Sequence, residues 1–234
     1  MRNSKIQDAK IQLCFICGKV GADSVDHVPP KGVFLFRTSD LITVPAHIDC
    51  NKASELDDEY FRLAITTMAL QYSQEAESLF DQKIMKRLQE PKKWKFRKSI
   101  SNDMVKIDVH SPAGIYLGKK DAMMIDSKRI LRVINRIARG LYYNYHKEVL
   151  PTDWPVKSNL MERGVLNERR GLEKAGQFKS VNNGVFKYMV KFAAEDKRIS
   201  FCWMSFFDCV DFSVFTTHGE VMENPFVKRP NVYE

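Results

Sequence analysis

Four metal-ligating side chains, set in two short pairs, constrain this chain more than any other feature. Cys14 and Cys17 stand in "CFICGK", His47 and Cys50 in "VPAHIDCNKAS", and 29 residues separate the pairs. Tetrahedral zinc takes four sulfur or nitrogen ligands, and three thiolates with one imidazole supply them. Two residues between paired ligands let a tight knuckle aim both side chains at one ion, and Gly18 lets the backbone turn after the first pair. The spacing predicts a closed structural zinc site. It would stabilise residues 12–51, a Cys-, His-, Pro- and Gly-rich stretch of loops and short strands. The cysteine total is five, an odd number without a secretory signal, which does not suit a disulfide framework. Cys202 and Cys209 lie in an apolar run and read as small buried hydrophobes.

A closed zinc site does no chemistry, so any reaction must come from between the pairs. There, Asp26 and His27 precede Pro29 and Pro30, which stiffen the turn in "DHVPPKG", and Asn51 directly follows the last cysteine. The pattern C-x2-C, DH-x-P, VPA-H-x2-CN resembles an HNH endonuclease of the zinc-stapled ββα-metal type. The resemblance covers roughly residues 12–62. It implies that His27, on a short strand, is the general base. It implies that Asp26 and Asn51, the latter opening the helix after the last zinc ligand, hold a divalent cation. Asp40 stands where the family carries an asparagine that orients the base, and a carboxylate still accepts a hydrogen bond. His47 stands where most relatives show cysteine, and imidazole also binds zinc well.

The residue types support these roles on their own. Phosphodiester hydrolysis needs a nucleophilic water and help for the departing oxygen. Imidazole, with a reference pKa of about 6.5, suits proton removal near neutral pH. An aspartate with an asparagine carbonyl is a hard, all-oxygen ligand set that fits Mg²⁺ or Mn²⁺ better than zinc and leaves positions for water and phosphate oxygen.

The net charge is +8, and its distribution matters more than its size. Residues 1–60 carry seven Lys/Arg against nine Asp/Glu, so the positive charge lies downstream. "KIMKRLQEPKKWKFRK" has eight Lys/Arg and one Glu over residues 83–98, with Lys92, Lys93 and Lys95 around an aromatic pair. Arg129, Arg132, Arg136 and Arg139 form one face of a helix whose other face is Ile130, Ile134, Ile137 and Leu141. Such a row suits phosphate contacts, or equally intramolecular ion pairs. We assign the lysines to backbone binding and Trp94 to the core. His110, His146 and His218 are scattered and read as structural.

A helical pattern starts near Asp57, where Asp57, Asp58 and Glu59 suit a helix N-terminus, and carries Phe61, Ile65, Met68 and Tyr72 as a stripe. Pro91 ends it. "MVKIDVH", "VFKYMVKFAAE" and "RISFCWMSFFDCVDFSVFTT" read as strands, the last as a hairpin or one bent strand, while residues 151–184 read as mostly loop. The N-terminal "MRNSKIQDAKIQL" has no apolar leader, and no window is apolar enough to span a membrane. The expected architecture is α+β: an N-terminal treble-clef-like ββα-metal module at 1–90, and a basic C-terminal domain with antiparallel strands at 91–234. The expected activity is cytoplasmic hydrolysis of DNA, RNA not being excluded, with structural Zn²⁺ and catalytic Mg²⁺ or Mn²⁺. The resemblance places such proteins in mobile elements, phage or antiviral defence. A homodimer or protein partner fits the downstream domain. Two other readings stay open: a non-catalytic zinc module that binds nucleic acid or protein, and a nuclease subunit active only with a partner.

Overall fold

The computed structural model describes residues 12–36, 38–162 and 166–218, apart from the side chains of Ser99 and Leu166. The N-terminal leader reading and Gly164 of the expected loop lie outside these residues. The order of elements is α+β, with every strand pairing antiparallel.

Strands β1 (Ser24–Val28) and β2 (Ile42–Ala46) pair with Asp26 opposite Val44 and His27 opposite Thr43. Helix α1 (Ile48–Ala69) follows at once. It starts where Asp23 Oδ1 accepts from the Ile48 backbone N–H at 2.9 Å, replacing a cap that His47 does not provide. The helix therefore begins well before Asp57, and Asp57, Asp58 and Glu59 lie in its interior rather than at its N-terminus. Their negative charge answers a neighbouring helix, as shown below, and not the dipole.

Helical segments α2 (Gln74–Leu79), a π-helical turn (Phe80–Met85) and α3 (Lys86–Gln89) run to Pro91. A 3-10 turn and α4 (Trp94–Asn102) follow. Trp94 is 53% exposed, so its expected place in the core is wrong. The hairpin of β3 (Met104–His110) and β4 (Tyr116–Met123) comes next. Helix α5 (Ser127–His146) is capped by Asp126, whose side chain accepts from the Arg129 N–H, and ends on Lys147 in the left-handed region.

The C-terminal sheet has the order β5-β9-β8-β7-β6, from β5 (Val156–Leu160), β6 (Lys179–Val181), β7 (Phe186–Phe192), β8 (Ser200–Phe206) and β9 (Val210–Thr216). Helix α6 (Leu166–Lys174) precedes β6. Residues 151–184 thus hold two strands and a helix, where loop was expected. The last apolar run is a hairpin: its three-residue turn, Phe207 to Cys209, has Phe207 and Asp208 at φ of 53° and 62° without the usual glycine.

One cluster of buried side chains runs from Cys14 and Phe15 through Phe61 and Ile134 to Phe206 and Val214. The rings of Phe61 and Phe206 meet edge to face, 5.4 Å apart. The core is continuous across the expected boundary at residue 91. Helix α5 lies along α1 and against β1, β2, β5 and β9, and is the element that joins the two halves. Among the described residues, no helix is long and apolar enough to cross a membrane.

Candidate functional site

The knuckle at the N-terminus is built by its own backbone. Cys14 N–H donates to Lys19 C=O at 2.9 Å and Gly18 N–H to Cys14 C=O at 2.8 Å, with Gly18 at φ 73°. Phe15 N–H donates to Pro45 C=O at 3.0 Å and ties the knuckle to β2. His47 and Cys50 come from the junction of β2 and α1. The four ligand atoms of Cys14, Cys17, His47 and Cys50 all lie within 4.8 Å of one another. His47 Nδ1 faces Cys17 Sγ at 3.3 Å and Cys50 Sγ at 3.8 Å, while Nε2 meets Val20 C=O at 3.1 Å. A carbonyl only accepts, so Nε2 carries the proton and Nδ1 presents its lone pair to the sulfurs, the arrangement a second-sphere partner imposes on a metal-binding imidazole. This Cys3His quartet could hold a structural metal such as zinc. Among the described residues it is the one group of three or more His, Cys, Asp or Glu with ligand atoms this close.

Beside the quartet, β1 and α1 form one wall of an open cleft of about 390 Å³ lined by Asp26, His27 and Asn51. Asn51 Nδ2 donates to Val25 C=O at 3.2 Å and to Ser24 Oγ at 3.4 Å. Because the carbonyl of Val25 can only accept, the amide orientation is settled, and Oδ1 is the atom left over. That Oδ1 is buried and has no hydrogen-bond partner. Asp26 Oδ1 accepts from the His27 backbone N–H at 2.7 Å, whereas Asp26 Oδ2 is likewise buried and accepts no hydrogen bond. Two hard oxygen acceptors without donors thus lie in one cleft with an imidazole. A buried acceptor without a hydrogen bond costs about 1–3 kcal/mol; Asn51 Oδ1 has no partner, and Asp26 Oδ2 has only a longer ion-pair contact, so the two together call for an explanation.

The cation nearest Asp26 comes from the other half of the chain. Arg136 Nε on α5 stands 3.7 Å from Asp26 Oδ2, and its Nη2 bonds Asp58 Oδ1. Burial pushes the Asp58 carboxyl up to about 6; Arg136 pulls it down and the neighbouring Asp26 charge pushes it further up.

The first three arginines of the row answer to α1, and the fourth to the segment that follows α5. Arg129 Nε and Arg132 Nε donate to the two oxygens of Asp57 at 2.9 and 2.8 Å, and Arg129 also lies over the Tyr60 ring at 4.2 Å. Arg139 donates to four backbone carbonyls, of Leu150, Pro151, Thr152 and Trp154. The expected nucleic-acid face is therefore an intramolecular seam, because α5 packs its polar edge on the acids of α1. Lys93 lines the cleft and donates to Glu59 at 2.6 Å, whereas Lys92 pairs with Glu90 at the exposed surface and Lys95 lies over Trp94.

Asp40 stands apart from the cleft. Its Oδ1 accepts from Thr38 Oγ1, and its Oδ2 accepts from the Asn182 N–H at 2.8 Å. The carboxylate expected to orient His27 instead fastens the loop before β2 to the turn between β6 and β7. His110, His146 and His218 pack against Tyr116, Tyr142 and Trp154 respectively, away from the cleft.

Sequence reasoning missed Asp58, Glu59, Arg62 and Arg87, all of which line the cleft. The signal was present. Asn51, Glu55, Asp58 and Arg62 follow one another at four, three and four, which places them on one face of α1. Comparison with protein-family models, with curated proteins and with solved structures finds no match for this chain.

Proposed function

We propose that this protein is a metal-dependent endonuclease of the HNH type, with β1, β2 and α1 as its ββα-metal core. One observation carries the reading: Asp26 Oδ2 and Asn51 Oδ1, buried acceptors without donors, line the same cleft as His27. The donor set fits a hard divalent cation such as Mg²⁺ or Mn²⁺, which keeps several waters when held by one or two protein oxygens. Bound there, the ion would supply charge stabilisation to the phosphate and the leaving 3′ oxygen.

The chain's own residues do the rest. His27 takes the proton of the attacking water as the new bond to phosphorus forms. The bond from phosphorus to the 3′ oxygen breaks with its electron pair, and that oxygen is protonated from solvent, leaving a 5′ phosphate and a 3′ hydroxyl. The His27 backbone N–H holds Asp26 in place through Oδ1, and Val25 C=O holds Asn51. The Cys3His quartet keeps β1 and the first turn of α1 in register.

The contact of Arg136 with Asp26 favours a second version, a nuclease restrained until a partner or substrate shifts α5. An internal guanidinium on the metal-binding carboxylate opposes cation binding by like charge. Mn²⁺ binding followed by electron paramagnetic resonance tests the reading. The wild type should bind one ion per chain in addition to the structural metal, Asp26→Ala and Asn51→Ala should each lose it, and both should keep the structural metal. Equal Mn²⁺ binding by all three proteins would sink it.

A further inference from the structure

Charge in the cleft is divided. Asp26, Glu55 and Asp58 line the cleft, and three cations that also line it converge on one buried carboxylate. Glu59 is 8% exposed, and its oxygens meet Arg87 Nε at 2.6 Å, Lys93 Nζ at 2.6 Å and Arg62 Nη2 at 3.8 Å. Three cations against one carboxylate leave this cluster at net +2. Arg62 packs against Gly32, whose Cβ position would lie 3.5 Å from its guanidinium, and Gly32 belongs to the turn that follows His27 and Val28. Arg62 therefore borders the turn that follows the strand carrying His27.

Two features show that this is more than a satisfied ion pair. The Arg62 Nε is buried without an acceptor. Burial, and then the neighbouring Arg87, hold the Arg62 guanidinium below its ordinary value, so the cluster is crowded with positive charge. Lys93 and Arg87 in turn overcome burial and hold Glu59 ionised. A buried carboxylate that gathers more cations than it neutralises pre-organises donors for a second anion, and guanidinium with ammonium is the donor set that phosphate oxygens take.

We propose that Arg62, Arg87 and Lys93, gathered by Glu59, form a seat for a backbone phosphate of the DNA strand adjoining the one hydrolysed at Asp26, His27 and Asn51. The seat rests on the nuclease reading for its substrate. It fixes the strand's register along the cleft without reading bases, since phosphate contacts position and carry no sequence information. It also replaces the arginine row of α5 as the electrostatic footprint.

The test uses the full chain carrying His27→Ala, so that binding is measured without turnover. The probe is a fluorescein-labelled oligonucleotide, single-stranded and duplex, titrated between about 50 and 200 mM salt. Replacing two of the three cations, Arg87→Gln with Lys93→Gln, leaves Arg62 to pair with the buried Glu59. It should weaken binding about tenfold and flatten the dependence of log K on log salt by about 1–2. Glu59→Gln alone should tighten binding, because the seat gains a unit of charge; a merely structural salt bridge gives no change or a loss. Unchanged affinity in both variants, or no DNA binding by the parent, would overturn the seat. Cleavage by the wild type with Mg²⁺ or Mn²⁺ is scored separately. Cutting that survives the double substitution unaltered removes the seat and leaves the nuclease, whereas seat-dependent binding without any cutting removes the nuclease and leaves the seat.

Discussion

Asp58 shows how a single side chain ties the two halves of the chain to the site. Its folded carboxyl is raised to about 6 by burial, against an ordinary value of 3.8. The folded state therefore holds a proton that the unfolded chain has released between about pH 4 and pH 6. Stability contributed at Asp58 is greatest below pH 4, falls as pH rises through 6, and is level above it. The loss is on the order of 2–3 kcal/mol at about 1.4 kcal/mol per pKa unit. Melting temperatures without added divalent cation should show Asp58→Asn gaining on the wild type between pH 4.5 and pH 7. A constant difference across that range would contradict the burial argument. The residue was legible only in part. Asp57, Asp58 and Glu59 stood out as an acidic run, yet their role depends on where α1 starts, and that start is set by Asp23 capping across a tertiary contact. The zinc-type quartet was legible because its four ligands are read by spacing alone. Asp40 was not, because its partner Asn182 lies 142 residues away.

Among the elements, α5 decides the geometry, and Gly140 is where it packs tightly on β1. A Cβ there would stand 2.5 Å from a methyl of Val28 and 3.4 Å from the Phe15 ring, so the helix can sit on β1 only with glycine at this position. Gly140→Ala should destabilise the fold by about 1–3 kcal/mol through overpacking, although alanine is the better helix former by about 1 kcal/mol. Denaturant unfolding measures it, and a stabilised variant would show that α5 and β1 are not in this contact. The helix itself was plain from its apolar face of Ile130, Ile134, Ile137 and Leu141. Its polar face was ambiguous, since four arginines at helical spacing serve phosphates and carboxylates alike. The matching acids on α1 decided it. In the C-terminal sheet the strands were legible by composition, but β6 and α6 were hidden in a run rich in Gly and Pro, and the Phe207–Asp208 turn lacks the residues that usually announce a hairpin.

At the scale of the molecule, Cys14 and Phe15 belong to the same buried cluster as Phe206 and Val214. Metal lost from the quartet should therefore be felt throughout. Prolonged treatment with a strong zinc chelator should release one ion per chain and lower the melting temperature of the whole protein in a single transition. Separate melting of an N-terminal unit would contradict the shared core. The same continuity explains how a residue of the C-terminal half, Arg136, comes to face Asp26 beside His27.

The most direct measurement is cleavage of plasmid and single-stranded DNA with Mg²⁺ or Mn²⁺, by wild type and His27→Ala side by side, with an EDTA control. Cutting by the wild type should stop in EDTA and fall at least about 10²-fold in the variant, which should keep its bound zinc and its melting temperature. Equal cutting by both proteins would contradict the assignment of His27 as the general base.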